Sequence, residues 1–318
     1  MKSTELKQLM GMLGKLDAIE CQRAKEAINN REAQVESSVV AEEITAAMTK
    51  CPLCGHTRIA KAGSKGGRKR FKCKSPACGK TFNALTGTPL ARLQKAGKHI
   101  ENAKCMAKGM TIRATADEIG VNATTVFRWR HRFLQALQAS QPNELAGVVE
   151  ADETFFLESF KGQRKGLPRP AKKRGTPAKL RGLSIEQIPV LVARDRSSGA
   201  TLTSKIQSRK AEDIGPVLMP RLAKDAVLVT DGAKAYRKLG KEQKVEVRQV
   251  PAHKKHKTVG SLHINGVNAY DKRLKEWMGR FHGVATKNLD AYLGWRRLLD
   301  RSKNTPSGKR FLLASIGR

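Results

Sequence analysis

The chain reads as a multidomain protein: an N-terminal helical segment, a four-cysteine ribbon, an all-α helix-turn-helix, and a mixed α/β domain. The spacing Cys51-x2-Cys54-x18-Cys73-x4-Cys78 places four thiols in two pairs, each beside a glycine, Gly55 and Gly79. Ala116, Gly120 and Val126 stand at the offsets that two helices packed across a tight turn require. From residue 147 onward, short apolar runs rich in β-branched residues alternate with helical stretches. Boundaries follow at 1–50, 51–92, 98–140 and 146–300, with 301–318 left as a tail expected to be mobile.

Residues 1–50 are expected to be helical. Leu6, Leu9, Leu13 and Leu16 form an apolar stripe that decays after Ile19, enough for packing or weak dimerisation but not for a long coiled coil. The acidic stretch Glu36–Glu43 reads as a solvated connection.

In the ribbon, glycine lets the backbone turn tightly enough for both sulfurs of a pair to face one ion. Cys51, Cys54, Cys73 and Cys78 are then a closed tetrahedral shell for structural Zn²⁺, with no open position for catalysis. Disulfides are disfavoured: no secretory signal is evident, and only Cys21 and Cys105 remain elsewhere. Between the pairs, residues 61–70 read as a basic, glycine-rich hairpin tip suited to phosphate.

Thr111–Ile119 is expected to form the first helix of the helix-turn-helix, Gly120 the turn, and Ala123 the start of the second helix. Thr124, Thr125, Arg128 and Arg132 fall on its exposed face, where they suit bases and phosphates.

Val148–Phe156 is a β-branched and aromatic strand. Ile188–Ala193 is nearly all apolar and so internal to a sheet, and Thr201–Ile206 alternates. A helix over Ala211–Leu222, a buried strand over Ala226–Thr230, a strand over Val245–Val250 and a helix over Val267–Met278 complete the pattern. Three strands, helix, strand, helix, strand, helix is a mixed order of the ribonuclease H type. Between the first two strands, Lys161–Arg181 holds nine Lys or Arg and no acid, an exposed loop suited to phosphate through Lys172, Lys173 and Arg174.

The charge indicates what such modules hold. The chain carries 62 Lys and Arg against 28 Asp and Glu, a formal net charge of +34. An excess of this size points to a polyanion. No apolar run is long enough to span a bilayer, so nucleic acid is favoured over a membrane, and the thiols fit a reducing, cytoplasmic, nucleoid-associated setting. A structural RNA-binding protein would share the charge, but it would have no use for acids pointing into a sheet.

Two such acids stand out. Asp152 lies within a strand of buried character, and Asp231 directly follows another. Carboxylates there need a counter-charge because desolvation is costly. A shared Mg²⁺ or Mn²⁺ supplies it, and adjacent strands fit the ~4 Å span of a two-metal site. Glu150 shares the face of Asp152, whereas Glu153 points oppositely and is the fallback ligand.

Together, Cys51–Cys78, Glu150–Phe156, Thr230–Tyr236 and His263–Tyr270 resemble, in order, the bacterial insertion-sequence transposases of the DDE type with an N-terminal zinc ribbon. The resemblance spans roughly residues 50–300. It implies Asn268 at the third metal position and Lys275, two helical turns on, as a catalytic lysine. Ala269-Tyr270-Asp271 departs from the family's aromatic pattern and leaves Asp271 or Glu276 as substitute ligands. The implied activity is metal-dependent DNA cleavage and strand transfer, by a homo-oligomer on double-stranded terminal inverted repeats and target DNA. A catalytically inactive, transposase-derived DNA-binding regulator is the alternative, favoured by the neutral Asn268. Several cations stay open between solvent and DNA: those of residues 253–257, Arg280, Arg296 and Arg297.

Overall fold

A computed structural model describes residues 3–66, 68–163, 165–170, 178–180, 184, 186–250, 258–259, 262–302 and 306–317. The chain divides into two units, Met1–Phe133 with Ser307–Ile316, and Leu134–Pro306.

The first unit begins with α1 (Ser3–Leu13) and α2 (Ala18–Ala46). A reciprocal cap starts α2: Asp17 Oδ1 accepts from Glu20 N at 2.7 Å, and Glu20 Oε2 accepts from Asp17 N at 3.1 Å. On α1, Leu9 is exposed beside Met10 and Met12, whereas Leu13 is half-buried. The stretch Glu36–Glu43, expected to be a connection, lies inside α2. Two causes act together: Ala33, Val40 and Ile44 bury one helical face, and the acids find cations. Glu36 pairs with Lys104 at 2.7 Å, and Glu43 pairs with Lys309.

A three-stranded antiparallel sheet follows, with β1 (Ile59–Lys65), β2 (Arg68–Cys73) and β3 (Thr81–Asn83). Met48, Ile59, Phe71 and Phe82 pack around the cysteines as a small core. Next come α3 (Ala96–Ala107), α4 (Ile112–Ile119) and α5 (Ala123–Ala139). Thr111 Oγ1 caps α4 by accepting from Ala114 N at 3.3 Å. Gly120 ends it with a φ of +63°, the left-handed conformation that favours glycine. Cys105, Ala116, Ile119, Val121, Val126 and Trp129 close around that turn.

Residues 306–317, read as part of a mobile tail, include a helix over Gly308–Ala314 that joins this unit. Phe311 and Leu312 are fully buried. A Cβ at Gly308 would stand 3.2 Å from Ile100 O, so the helix sits directly on α3. The basic composition of the segment hid this, because two apolar residues do not make a visible periodicity.

The second unit holds β4 (Val148–Leu157), β5 (Gln187–Asp195), β6 (Thr201–Lys205), α6 (Ala211–Leu218), β7 (Val227–Thr230), α7 (Lys234–Gln243) and β8 (Glu246–Gln249). Then come β9 (Thr258–Val259) and β10 (Leu262–His263), a pair too short for sequence patterning to reveal, then α8 (Asn265–Gly279) and α9 (Leu289–Arg301). The five-stranded sheet has the order β6-β5-β4-β7-β8, antiparallel among β4, β5 and β6 and parallel from β4 through β7 to β8.

Ala151, Leu191 and Ala193 face Ile214 and Leu218 of α6 and Tyr236 and Leu239 of α7. On the opposite face, Val229 clusters with Val250 and Ile264, just ahead of α8. Arg297 of α9, left open as a DNA contact, is buried. Its guanidinium donates to Leu137 O, Ser140 O and Thr203 O at 2.9–3.2 Å, tying the end of α5 to β6. Arg296 is held by Asp300 at 3.3 Å.

Phe311→Ala is expected to destabilise the first unit by about 3–5 kcal/mol, the usual cost of emptying a buried aromatic site. Denaturant unfolding should show that loss; an unchanged midpoint would mean that the helix does not pack as described.

Candidate active site

Strand pairing builds the acidic centre. In the parallel register of β4 and β7, Ala151 stands opposite Thr230, so the next residues, Asp152 and Asp231, emerge side by side where β7 ends and β4 continues. Asp152 Oδ1 accepts from Glu153 N at 2.8 Å, and Asp231 Oδ1 accepts from Ala233 N at 3.1 Å. Burial pushes the Asp152 carboxyl up to about 6; the charges of Asp231 and Glu153 add to this, while the Glu153 N–H and Arg209 oppose it.

The two glutamates that flank Asp152 turn to opposite faces, as strand alternation requires. Glu153 is not available as a fallback ligand. Its Oε1 accepts from the buried Tyr236 hydroxyl, and its Oε2 pairs with Arg209 Nε at 3.0 Å. Glu150, on the face of Asp152, is 1% exposed and meets Arg196, His263 and the backbone N–H of Val267.

Helix α8 supplies the remaining candidates. Asn268 and Asp271 are half-buried, one turn apart, while Lys275 and Glu276 are exposed. Burial first, and then the charge of Asp152, pushes the Asp271 carboxyl up to about 7, against a lowering by Lys275. Asp271 Oδ1 is buried with no partner among the described residues. Asp271 thus shares the electrostatic neighbourhood of Asp152. Carboxylates are ligands of hard divalent cations such as Mg²⁺ or Mn²⁺, although among the described residues only the cysteines bring three or more acid, His or Cys ligand atoms close enough to share one ion.

The other cluster is sulfur. The Sγ atoms of Cys51, Cys54, Cys73 and Cys78 all lie within 4.8 Å of one another. The Cys51–Cys78 and Cys54–Cys73 separations are 4.0 and 3.6 Å. A tetrahedron with metal–sulfur bonds of ~2.3 Å has edges of ~3.8 Å, so the arrangement fits Zn²⁺.

Comparison with known proteins identifies the family. An ISXO2-like transposase domain matches residues 144–296, and a homeodomain-like helix-turn-helix domain matches residues 103–138. An uncharacterised protein in the transposable element ISH50 of Halobacterium salinarum is 30% identical over 247 residues, which cover 76% of this chain and 82% of that protein. The chain belongs to the insertion-sequence transposases.

Among solved structures, a simian T-cell lymphotropic virus intasome complex is similar at 11% identity and a TM-score of 0.30, over 61% of the transposase and 66% of that chain, just under two thirds. A pre-cleavage Mos1 transpososome is similar at 12% identity and a TM-score of 0.25, over 63% and 75%. Likenesses this distant bear on neither fold nor function.

In the helix-turn-helix of the transposase, Thr124 and Arg128 are exposed on α5 and Thr125 is half-buried, so all three lie at or near the surface. Arg132 is half-buried, like Thr125, and has a partner within the chain. Its guanidinium donates to Ala91 O at 2.8 Å, which ties α5 to the segment after the ribbon; helical spacing alone could not show that this side chain folds back. Lys172, Lys173 and Arg174, and the cations of residues 253–257, lie outside the described residues. No helix among those described is long and apolar enough to cross a membrane.

The raised carboxyls have a sign. The folded state keeps protons on Asp152 and Asp271 that the unfolded chain has already released, so this pair costs stability as pH rises through about 6 and 7. In Mg²⁺-free buffer, Asp271→Asn is therefore expected to stabilise the protein by on the order of 1 kcal/mol more at pH 8 than at pH 5. Thermal melts at both pH values measure this, and an equal shift would exclude a raised Asp271 carboxyl.

Proposed function

We propose that this transposase binds the terminal inverted repeats of its element and catalyses divalent-metal-dependent DNA strand cleavage and strand transfer, working as a homo-oligomer on double-stranded DNA. The observation that carries the reading is the register that sets Asp152 beside Asp231, with Asp271 of α8 unpaired in the same neighbourhood. The strand order β6-β5-β4-β7-β8 supports the ribonuclease H-type reading of this domain.

Asp152, Asp231 and the side-chain oxygen of Asn268 would hold Mg²⁺ or Mn²⁺, with Asp271 the nearest rival to Asn268. Bound there, divalent cations supply the charge neutralisation that phosphoryl transfer needs. The residues of the chain position the rest. Exposed Lys275, two turns beyond Asn268, would meet a phosphate of the scissile strand. Thr124, Thr125 and Arg128 would face the terminal repeat, with Lys172, Lys173 and Arg174 adding contacts that do not depend on sequence. A 3′-hydroxyl freed at the element end would then attack target DNA in the same site.

Asp152→Ala or Asp231→Ala should abolish cleavage of a terminal-repeat duplex, with DNA affinity retained. Asn268→Asp should be tolerated and Asn268→Ala should cost activity. Should Asp271→Ala abolish cleavage while Asn268→Ala is silent, Asp271 is the third ligand. Wild-type binding without cleavage would favour the inactive regulator.

Cys51, Cys54, Cys73 and Cys78 would bind one structural Zn²⁺ and hold the basic hairpin of β1 and β2. Metal analysis should find about one zinc per chain, abolished in Cys51→Ser and kept in Cys21→Ser. Cys21 stands apart from the cluster, its Sγ donating to Leu16 O at 3.7 Å. Equal zinc loss from both variants would refute the assignment.

A further inference from the structure

The local cap of helix α8 is one long contact, His263 Nδ1 accepting from Asn265 N at 3.4 Å. The N-cap residue, Ile264, makes no side-chain hydrogen bond to the helix. Yet its first turn cannot leave buried N–H groups unpaired. The acceptor comes instead from the centre of the sheet: Glu150 Oε2 accepts from Val267 N at 2.9 Å. A carboxylate at a helix N-terminus is favoured by charge as well as by hydrogen bonding.

The other oxygen of Glu150 is equally engaged. Arg196 Nε donates to Oε1 at 2.9 Å, and His263 Nδ1 lies 3.2 Å from it. Arg196 also donates to His263 O at 2.8 Å, so one guanidinium spans the carboxylate and the strand that leads into α8. Gly266 makes room for this. A Cβ there would stand 2.8 Å from Glu150 Oε2, inside the closest contact that real Cβ atoms show.

The placement links two halves of one site. Glu150 precedes Asp152 by two residues on the same strand face, and Val267 directly precedes Asn268. We propose that Glu150 is a positioning residue for the metal centre: with Arg196 and Gly266 it locks the start of α8 to β4, and so sets Asn268 and Asp271 against Asp152. This rests on the metal centre described under Proposed function. Glu150 touches neither cation nor DNA in this role; it acts through the helix.

The test is Mn²⁺ binding to the full chain, followed by electron paramagnetic resonance, alongside thermal melts and terminal-repeat binding. Glu150→Ala should weaken Mn²⁺ binding about 10- to 100-fold, as loss of a supporting partner does in metal sites, with DNA affinity unchanged. Glu150→Gln, which keeps an acceptor for Val267 N–H, should recover most of it. Gly266→Ala should weaken Mn²⁺ binding in the wild-type background but add nothing to Glu150→Ala, because the clash needs the carboxylate. Additive losses, or unchanged Mn²⁺ affinity in Glu150→Ala, would overturn the lock. If Glu150→Ala does not fold, unchanged affinity in both Glu150→Gln and Gly266→Ala does so instead. Asp152→Ala separates the two levels. Equal Mn²⁺ binding by wild type and Asp152→Ala overturns the metal centre and the lock with it. Loss in Asp152→Ala with none in the Glu150 variants overturns the lock alone.

Discussion

Three carboxylates within four residues of the central strand constrain the second unit more than any other feature. Taking an ion out of water still costs several kcal/mol after the protein relaxes, on the order that a well-placed partner must offset. Glu150, Asp152 and Glu153 all lie on β4, and Glu150 and Glu153 are buried. The surrounding elements arrange themselves as partners. Arg196, His263 and the start of α8 serve Glu150 on one face; Tyr236 of α7 and Arg209 serve Glu153 on the other.

Asp152 is the carboxylate this arrangement leaves unserved. Burial and the like charges of Asp231 and Glu153 push its carboxyl up, and the Glu153 N–H and the more distant charge of Arg209 offset this only in part. Asp271 across the interface with α8 is in the same condition. A protein that satisfies two buried acids fully and leaves the residue between them in tension has placed that tension where a cation would relieve it. Strained electrostatics of this kind collects at functional sites.

The first unit is stabilised differently. Its small cores surround the cysteine cluster and the helix-turn-helix, and surface pairing does much of the rest: Glu36 with Lys104, Glu43 with Lys309, Arg132 with the Ala91 carbonyl. In a chain with a net charge of +34, two acids on α2, Glu36 and Glu43, pair with cations. The few acids therefore serve as internal counter-charges, while most of the basic side chains remain for an external polyanion.

The cysteine spacing, the turn glycine at 120 and the alternation of strands and helices were legible in the sequence, because each depends on residues close along the chain. So was the pairing of Asp152 with Asp231, since buried strands place their acids predictably. What only the tertiary structure decided involves partners far apart in sequence. Glu150 belongs to the start of α8, 117 residues on. Glu153 is engaged by Tyr236, Arg297 is turned inward by backbone carbonyls, and the half-buried Arg132 donates to the carbonyl of Ala91. The C-terminal helix meets α3 at Gly308 and buries Phe311. A side chain's type and spacing set what it can do, but whether it is free to do so depends on which distant group reaches it first.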